Sequence, residues 1–359
     1  GATTTTADDW DRAAHGWEFV DDATIVLGAQ DGARAQLFTI DLAEGSPRPL
    51  DIDHSAHGPR PAGEKLWFRV ESLTKPPEVA ERSAGTVGSF NDGLLSELDL
   101  GRVEDVEFEG ADGDRVQMFV VYPPGFDPSR RWPLVHNIHG GPHGTSGDEW
   151  HWRWNSQVFG APGYVVASVN FHGSIGWGED FTRSIRGGWG DKPATDVLAA
   201  TNHLVARGFI DEERMAIAGG SYGGYLVSWL IGATDRFACA ICHAGVNDLV
   251  GQWASDVTAG REKAIGGVPW DDMDAVLRWS PLAHTAGMTT PTLVVHGEQD
   301  YRVVVTQGLA LYGILKHKGV PARLVYYPDE GHWIERRANS LHWYGEFLGW
   351  LDRWLRRRS

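Results

Sequence analysis

An apolar run, Met215–Ala218, leads without a spacer into Gly219-Gly220-Ser221-Tyr222-Gly223 and then into a second apolar run, Tyr225–Gly232. No other stretch constrains the fold as strongly. G-x-S-x-G between a buried strand and a buried helix describes a turn so tight that the residues flanking the serine must be nearly free of side chains. Such a turn lifts the serine hydroxyl above the edge of a sheet, at the start of a helix. A hydroxyl is a weak nucleophile until a base takes its proton, so the turn predicts a histidine and an acid at the same edge. The bland alternative is a glycine-rich turn with an idle serine. No Gly-Lys-Ser/Thr follows, which excludes a phosphate loop. Met215–Thr234 is uncharged for 20 residues, the length of a membrane span. Its five glycines predict a strand, a turn and a helix instead, all buried.

The surrounding texture agrees with a sheet that ends in such a turn. Val103–Glu109 and Val116–Tyr122 read as strands paired across Asp112-Gly113. Further buried strands are predicted at Leu134–Ile138, Tyr164–Val169, Ala238–Cys242, Thr292–His296 and Arg323–Tyr327. Helices fall between them: Val197, Leu198, Thr201, Leu204 and Val205 share one helical face, and Gln307–Lys316 and Ser340–Leu355 are helical stretches. This alternation predicts an α/β fold, a mostly parallel doubly wound sheet covered by helices on both sides. Residues 1–86 differ. Short β-type runs at 17–20, 24–27, 35–40, 65–70 and 78–80 are separated by turns, as in blades of a β-propeller. The expected division is residues 1–86 as partial propeller blades and residues 87–359 as a catalytic domain.

Ligands of a parallel sheet bind at the carboxyl ends of its strands. Strand Thr292–His296 runs into Gly297-Glu298-Gln299-Asp300, and strand Arg323–Tyr327 into Pro328-Asp329-Glu330-Gly331-His332. In the chain order Ser, Asp, His, these tips supply Asp300 as acid and His332 as base for Ser221. Glu298 and Asp329 are the competing acids. An acyl transfer also needs donors for the oxyanion. The backbone N–H of Tyr222, next after the nucleophile, is one candidate. Gly141, in the His139-Gly140-Gly141-Pro142 turn after strand Leu134–Ile138, is the other. For the substrate pocket the candidates are Trp177, Val246, Trp253 and Trp270, with Trp150, Trp152 and Trp154 as a possible groove wall.

Composition removes several classes. With 32 basic and 48 acidic residues the net charge is −16, so a nucleic-acid partner is not expected. The dense basic run Arg356-Arg357-Arg358 is expected to complement a last helix. Cys239 and Cys242 are the two cysteines. On a strand, positions three apart face opposite ways, which argues against a redox pair. His136, His139 and His143 lack the spacing or the cysteine support of a metal site, and neither metal nor cofactor is expected. No signal peptide or membrane segment is read, so a soluble, cytoplasmic chain is expected, although the chain opens on Gly rather than Met.

The motifs His139-Gly-Gly-Pro-His143, Asn170-Phe-His-Gly-Ser174 with Gly176-Trp-Gly178, Gly219-Gly-Ser-Tyr-Gly-Gly-Tyr225, His296-Gly-Glu-Gln-Asp-Tyr-Arg302 and Asp329-Glu-Gly-His-Trp333 together resemble the prolyl oligopeptidase family of serine peptidases. The dipeptidyl-peptidase and acylaminoacyl-peptidase branches are the most similar. The resemblance runs from about residue 103 to 355 and, more weakly, into the early strands. It implies an α/β-hydrolase domain capped by a propeller that admits short peptides, and it gives Ser221, Asp300, His332, Tyr222 and Gly141 the roles read above. Most of the propeller is absent, so the expected partners are a short peptide substrate and a missing N-terminal propeller chain or segment, with oligomers open. The expected function is release of N-terminal dipeptides or acyl-amino acids. A carboxylesterase or small-amide hydrolase with the same triad, and a non-catalytic binding subunit, are the alternatives.

Overall fold

The computed structural model describes residues 5–257 and 259–356. Arg357 and Arg358, part of the basic run at the end of the chain, lie outside the described residues. The sheet at the centre has eight strands. They are β9 (Val103–Glu109), β10 (Arg115–Val121), β11 (Trp132–Ile138), β12 (Val165–Asn170), β13 (Ile210–Gly220), β14 (Cys239–His243), β15 (Thr292–Gly297) and β16 (Ala322–Tyr327). Their order is β16-β15-β14-β13-β11-β12-β10-β9. β11 to β16 pair in parallel, and β10 runs antiparallel to both β9 and β12. The β9–β10 turn places Asp112 and Gly113 at φ 58° and 82°, as an Asp-Gly turn permits.

Alternate residues along the inner strands feed two separate cores. Leu134, Ile217, Ala240, Cys242 and Val294 pack on one face, with the helices Lys192–Ala206, Tyr222–Ala233 and Thr306–His317. Val135, Ala216, Cys239, Ile241 and Leu293 pack on the other, beneath Trp343, Phe347 and Trp350 of the helix Arg337–Leu355. Because both faces are covered, these strands read as continuous apolar runs rather than as alternating ones. Cys239 and Cys242 fall on opposite faces as free buried thiols. Truncating a fully buried residue such as Leu134 to Ala costs about 2–5 kcal/mol in cores of this kind.

Two four-stranded antiparallel sheets precede the large one. The first holds β1 (Ala14–Phe19), β2 (Thr24–Asp31), β3 (Arg34–Asp41) and β4 (Pro47–Pro49). The second holds β5 (Ser55–Ala62), β6 (Lys65–Ser72), β7 (Lys75–Glu81) and β8 (Gly85–Thr86). Sequence reading finds β1, β2, β3, β6 and β7 but passes over the two-residue β8 and over β4 and β5. β4 and β5 carry prolines, and both are edge strands, where a missing N–H costs no ladder bond. β5 is also bulged between His57 and Arg60.

Residues 144–154, which follow β11, are held by these small sheets. The buried Asp148 donates its N–H to the Ala33 carbonyl (2.9 Å) and accepts from Leu73 N–H (2.9 Å) and His54 Nδ1 (2.8 Å). Glu71 accepts the Trp150 N–H at 3.1 Å. No helix among the described residues is long and apolar enough to cross a membrane.

Candidate active site

Ser221 stands between β13 and the helix Tyr222–Ala233 at φ 59°, ψ −120°. A residue with a Cβ enters that region only at a cost, and such strain collects at functional sites. The neighbouring glycines make the turn possible. A Cβ on Gly219 would lie 2.5 Å from the Gly223 backbone, and one on Gly223 would lie 2.1 Å from the Ile138 carbonyl oxygen. The Ser221 N–H donates to the His243 carbonyl at 2.9 Å, which ties the turn to the end of β14.

Asp300, at the tip of β15, is buried. Its Oδ1 accepts the backbone N–H groups of Arg302 (2.9 Å) and Val303 (2.8 Å), and its Oδ2 accepts Nδ1–H of His332 at 2.7 Å. Burial alone would raise the pKa of this carboxyl. The hydrogen bonds from His296 and His332 and the backbone donors outweigh it and hold the group well below the usual carboxylate range. Asp300 is therefore an anion that fixes the His332 ring with Nδ1 protonated and Nε2 free to accept a proton. The competing acids stand elsewhere. Glu298 is exposed, and Asp329 pairs with Arg336 (3.2 Å) and Asn339 (3.1 Å).

Ser221 and His332 line one open cleft of about 440 Å³, together with Gly141, Gln299, Tyr301, Arg302 and Trp333. Gly140 comes close enough that a Cβ there would sit 3.3 Å from Ser221 Cβ, so the turn after β11 lies against Ser221. Among the described residues the N–H groups of Gly141 and Tyr222 have no acceptor, and Tyr222 opens the helix, where N–H groups and the dipole favour negative charge. The arrangement can form an oxyanion at this cleft, accept a proton at His332 Nε2 and return it.

The four residues expected to form the substrate pocket do not line this cleft. Trp177 packs on Phe181 at 5.9 Å, Val246 is buried in the core, and Trp253 and Trp270 pack on each other at 5.0 Å. The polypeptide after β14 turns into short helical segments that carry Trp270 to the surface. The three histidines near β11 each have a separate partner: His136 with Thr201 Oγ1 (2.9 Å), His139 with Ser174 Oγ (2.9 Å), and His143 with the Gly173 carbonyl (2.9 Å). Among the described residues no group of three side chains is placed to hold a metal ion.

Two positioning residues escape the sequence reading. His243 accepts Trp343 Nε1–H at Nδ1 (3.0 Å), which leaves Nε2–H to donate to the His332 carbonyl (3.4 Å). Burial holds this ring neutral, with its pKa down to about 3. Glu330 is buried and accepts the N–H groups of Glu335 (3.1 Å) and Arg336 (3.0 Å) and the Asn339 side chain (2.7 Å), shaping the loop that carries His332. Glu330 lies within the Asp329-Glu-Gly-His-Trp333 motif, whose spacing pointed only to His332 and the competing acid Asp329. A histidine at the end of a buried strand was the available signal for His243.

Residues 150–358 match the profile described as the prolyl oligopeptidase family. The probable dipeptidyl-peptidase 5 of Aspergillus terreus is 32% identical over 99% of this chain and 52% of its own length. The dipeptidyl-peptidase 5 of Schizosaccharomyces pombe is 34% identical over 90% and 48%. An acylaminoacyl peptidase from Pyrococcus horikoshii superposes with a TM-score of 0.90 at 23% identity, over 99% of this chain and 58% of that one, which shows the shared fold. The chain thus spans about half the length of the curated relatives it matches. The family match covers β13 to β16 and every member of the Ser221, Asp300 and His332 group, and the chain belongs to the prolyl oligopeptidase family.

Proposed function

We propose that the chain is a serine peptidase that hydrolyses short peptides through an acyl-enzyme, releasing N-terminal dipeptides or acyl-amino acids. The observation that carries this reading is the 2.7 Å bond from His332 to Asp300 in a cleft shared with the strained Ser221. Ser221 Oγ attacks the scissile carbonyl as His332 Nε2 takes its proton. The oxyanion receives the N–H groups of Gly141 and Tyr222, each such donor being worth about a hundred- to thousandfold in rate. Collapse breaks the C–N bond, and His332 passes its proton to the departing amine. Water then repeats the sequence against the acyl-enzyme.

Residues 1–86 are, in this reading, blades of a propeller whose remainder lies outside this sequence. In support, Trp17, Phe19 and Leu42 leave an exposed apolar surface on the first small sheet, around Trp10 and Ile25. Such a patch marks a surface that packs on something else.

The test is hydrolysis of a chromogenic amide of a free dipeptide and of an N-acetylated amino acid, alongside labelling by a serine-directed phosphonate. Activity and labelling that both vanish in Ser221→Ala support the proposal. Ester hydrolysis without amide hydrolysis would replace it with the esterase reading, and failure to label would leave a binding subunit.

A further inference from the structure

The proton that His332 returns goes to the leaving amine, so the leaving half of a substrate must lie on the His332 side of Ser221. A second cleft, of about 270 Å³, is lined by Trp333, the residue after His332. It shares Gly141 and Trp333 with the cleft of Ser221 and His332, and Gly220 lies in its wall. Gly220 directly precedes Ser221, and a Cβ on it would come within 3.1 Å of Trp154 Cζ2, so the indole lies close against the backbone before the serine. The near walls are apolar, formed by Phe119, Ile138 and Trp154, and the rest of the lining includes Glu149, His151 and Arg153.

Arg153 is the unusual member. Its guanidinium lies over the Trp333 ring at 4.2 Å, next in sequence to the base. Among the described residues no carboxylate comes within ion-pair distance of it; Glu335 attracts it only at longer range. Burial destabilises its charge, and pairing has not restored what burial removed. His151 accepts the N–H groups of Arg153 (3.2 Å) and Trp154 (3.0 Å) at Nδ1, which sets the backbone that presents the arginine. Glu149, in the same lining, has its carboxyl pKa raised by burial and by the nearby Glu71.

We infer that the second cleft receives the leaving part of the substrate and that Arg153 binds its C-terminal carboxylate. A planar fork of donors stacked on an aromatic ring suits that group, which it can hold bidentately. The inference rests on the serine-peptidase reading above and adds a substrate class: short peptides that end soon after the scissile bond, with a free carboxylate.

The experiment compares kcat/KM for tetra-alanine and its C-terminal amide, each with a free and an acetylated amino terminus, in wild type, Arg153→Met and Arg153→Lys. Met keeps a long stem on Trp333 and Lys keeps the charge. Wild type should favour the carboxylate form by about tenfold, as expected of a charge-assisted hydrogen bond at a partly exposed site. The ratio should fall to about one in Arg153→Met and be partly retained in Arg153→Lys, by the same reasoning. Equal rates for carboxylate and amide in wild type, or a preference that survives in Arg153→Met, would overturn the inference. A chromogenic amide of alanyl-alanine or of acetyl-alanine carries no such carboxylate and reports the hydrolase reading by itself. Its cleavage without carboxylate preference sinks only the inference; no cleavage of any substrate sinks both.

Discussion

His332 Nδ1 donates to Asp300 Oδ2 at 2.7 Å, and the same carboxylate accepts two backbone N–H groups through Oδ1. The carboxylate is thus held from one side by its own loop and holds the His332 ring from the other. Asp300→Asn keeps the shape but presents an amide that can donate to the ring, which favours the wrong tautomer. We predict a fall in kcat of about a thousandfold or more, by analogy with the same exchange in other serine peptidases. Steady-state hydrolysis of a chromogenic dipeptide amide checks it, and a loss smaller than tenfold would show that Asp300 is not the orienting acid.

His243 touches both halves of the machinery, through its carbonyl to Ser221 N–H (2.9 Å) and through its ring to the His332 carbonyl (3.4 Å). His243→Phe preserves an aromatic ring but strands the Trp343 indole N–H, at a cost of about 1–3 kcal/mol in stability. A positioning role predicts about a tenfold lower kcat with KM nearly unchanged, because one weak hydrogen bond to the base loop is lost. A thermal shift with wild-type kcat would reduce His243 to a purely structural part.

Gly223 lies in a helix, where alanine is ordinarily better than glycine by about 1 kcal/mol. Here the added Cβ would meet the Ile138 carbonyl oxygen at 2.1 Å and the His139 carbonyl oxygen at 3.0 Å. Gly223→Ala should therefore destabilise the chain by about 3 kcal/mol, the upper range for an overpacked core. Urea denaturation reads this directly, and a variant as stable as wild type would mean that the elbow has room to relax.

Three histidines, His136 and His243 buried and His139 partly buried, contribute to the response to acid. Burial lowers the pKa of His136 to about 3, that of His139 to about 4 and that of His243 to about 3. In the unfolded chain each ring takes a proton near pH 6.5, while the folded chain refuses it until pH 4 or below. The unfolded state therefore binds more protons in this window, and stability falls as pH falls. Each ring contributes about 1.4 kcal/mol per pH unit between its two values, and the three together up to about 4. Melting temperature should be near its plateau above pH 7 and drop steeply from pH 6 to 4. A flat profile over that range would mean that these rings are hydrated or protonated in the native chain.

The sheet was legible because both of its faces are buried. Runs such as Leu134–Ile138 and Thr292–His296 are short, apolar and bounded by turn residues, and β11 and β15 follow them closely. β4 and β5 were not legible, since proline at a sheet edge looks like proline in a loop. The pocket candidates Trp177, Val246, Trp253 and Trp270 rested on residue type and nearness in sequence. Such residues also fill cores and cover surfaces, and Val246 and Trp270 do each of these.

By itself the sequence determined what is local: a glycine-flanked serine after an apolar strand, and an aspartate and a histidine just beyond two other strand ends. A parallel sheet brings its strand tips to one edge, so those three residues fall at the same edge of the sheet. The tertiary structure alone decided what depends on partners far apart in the chain. His243 is held by Trp343, 100 residues later, and Arg153 rests on the ring of Trp333. Glycine geometry and strand burial act over a few neighbouring residues and leave a mark in their order. A hydrogen bond or a stacked ion depends on where two distant surfaces meet, and packing of the whole chain sets that.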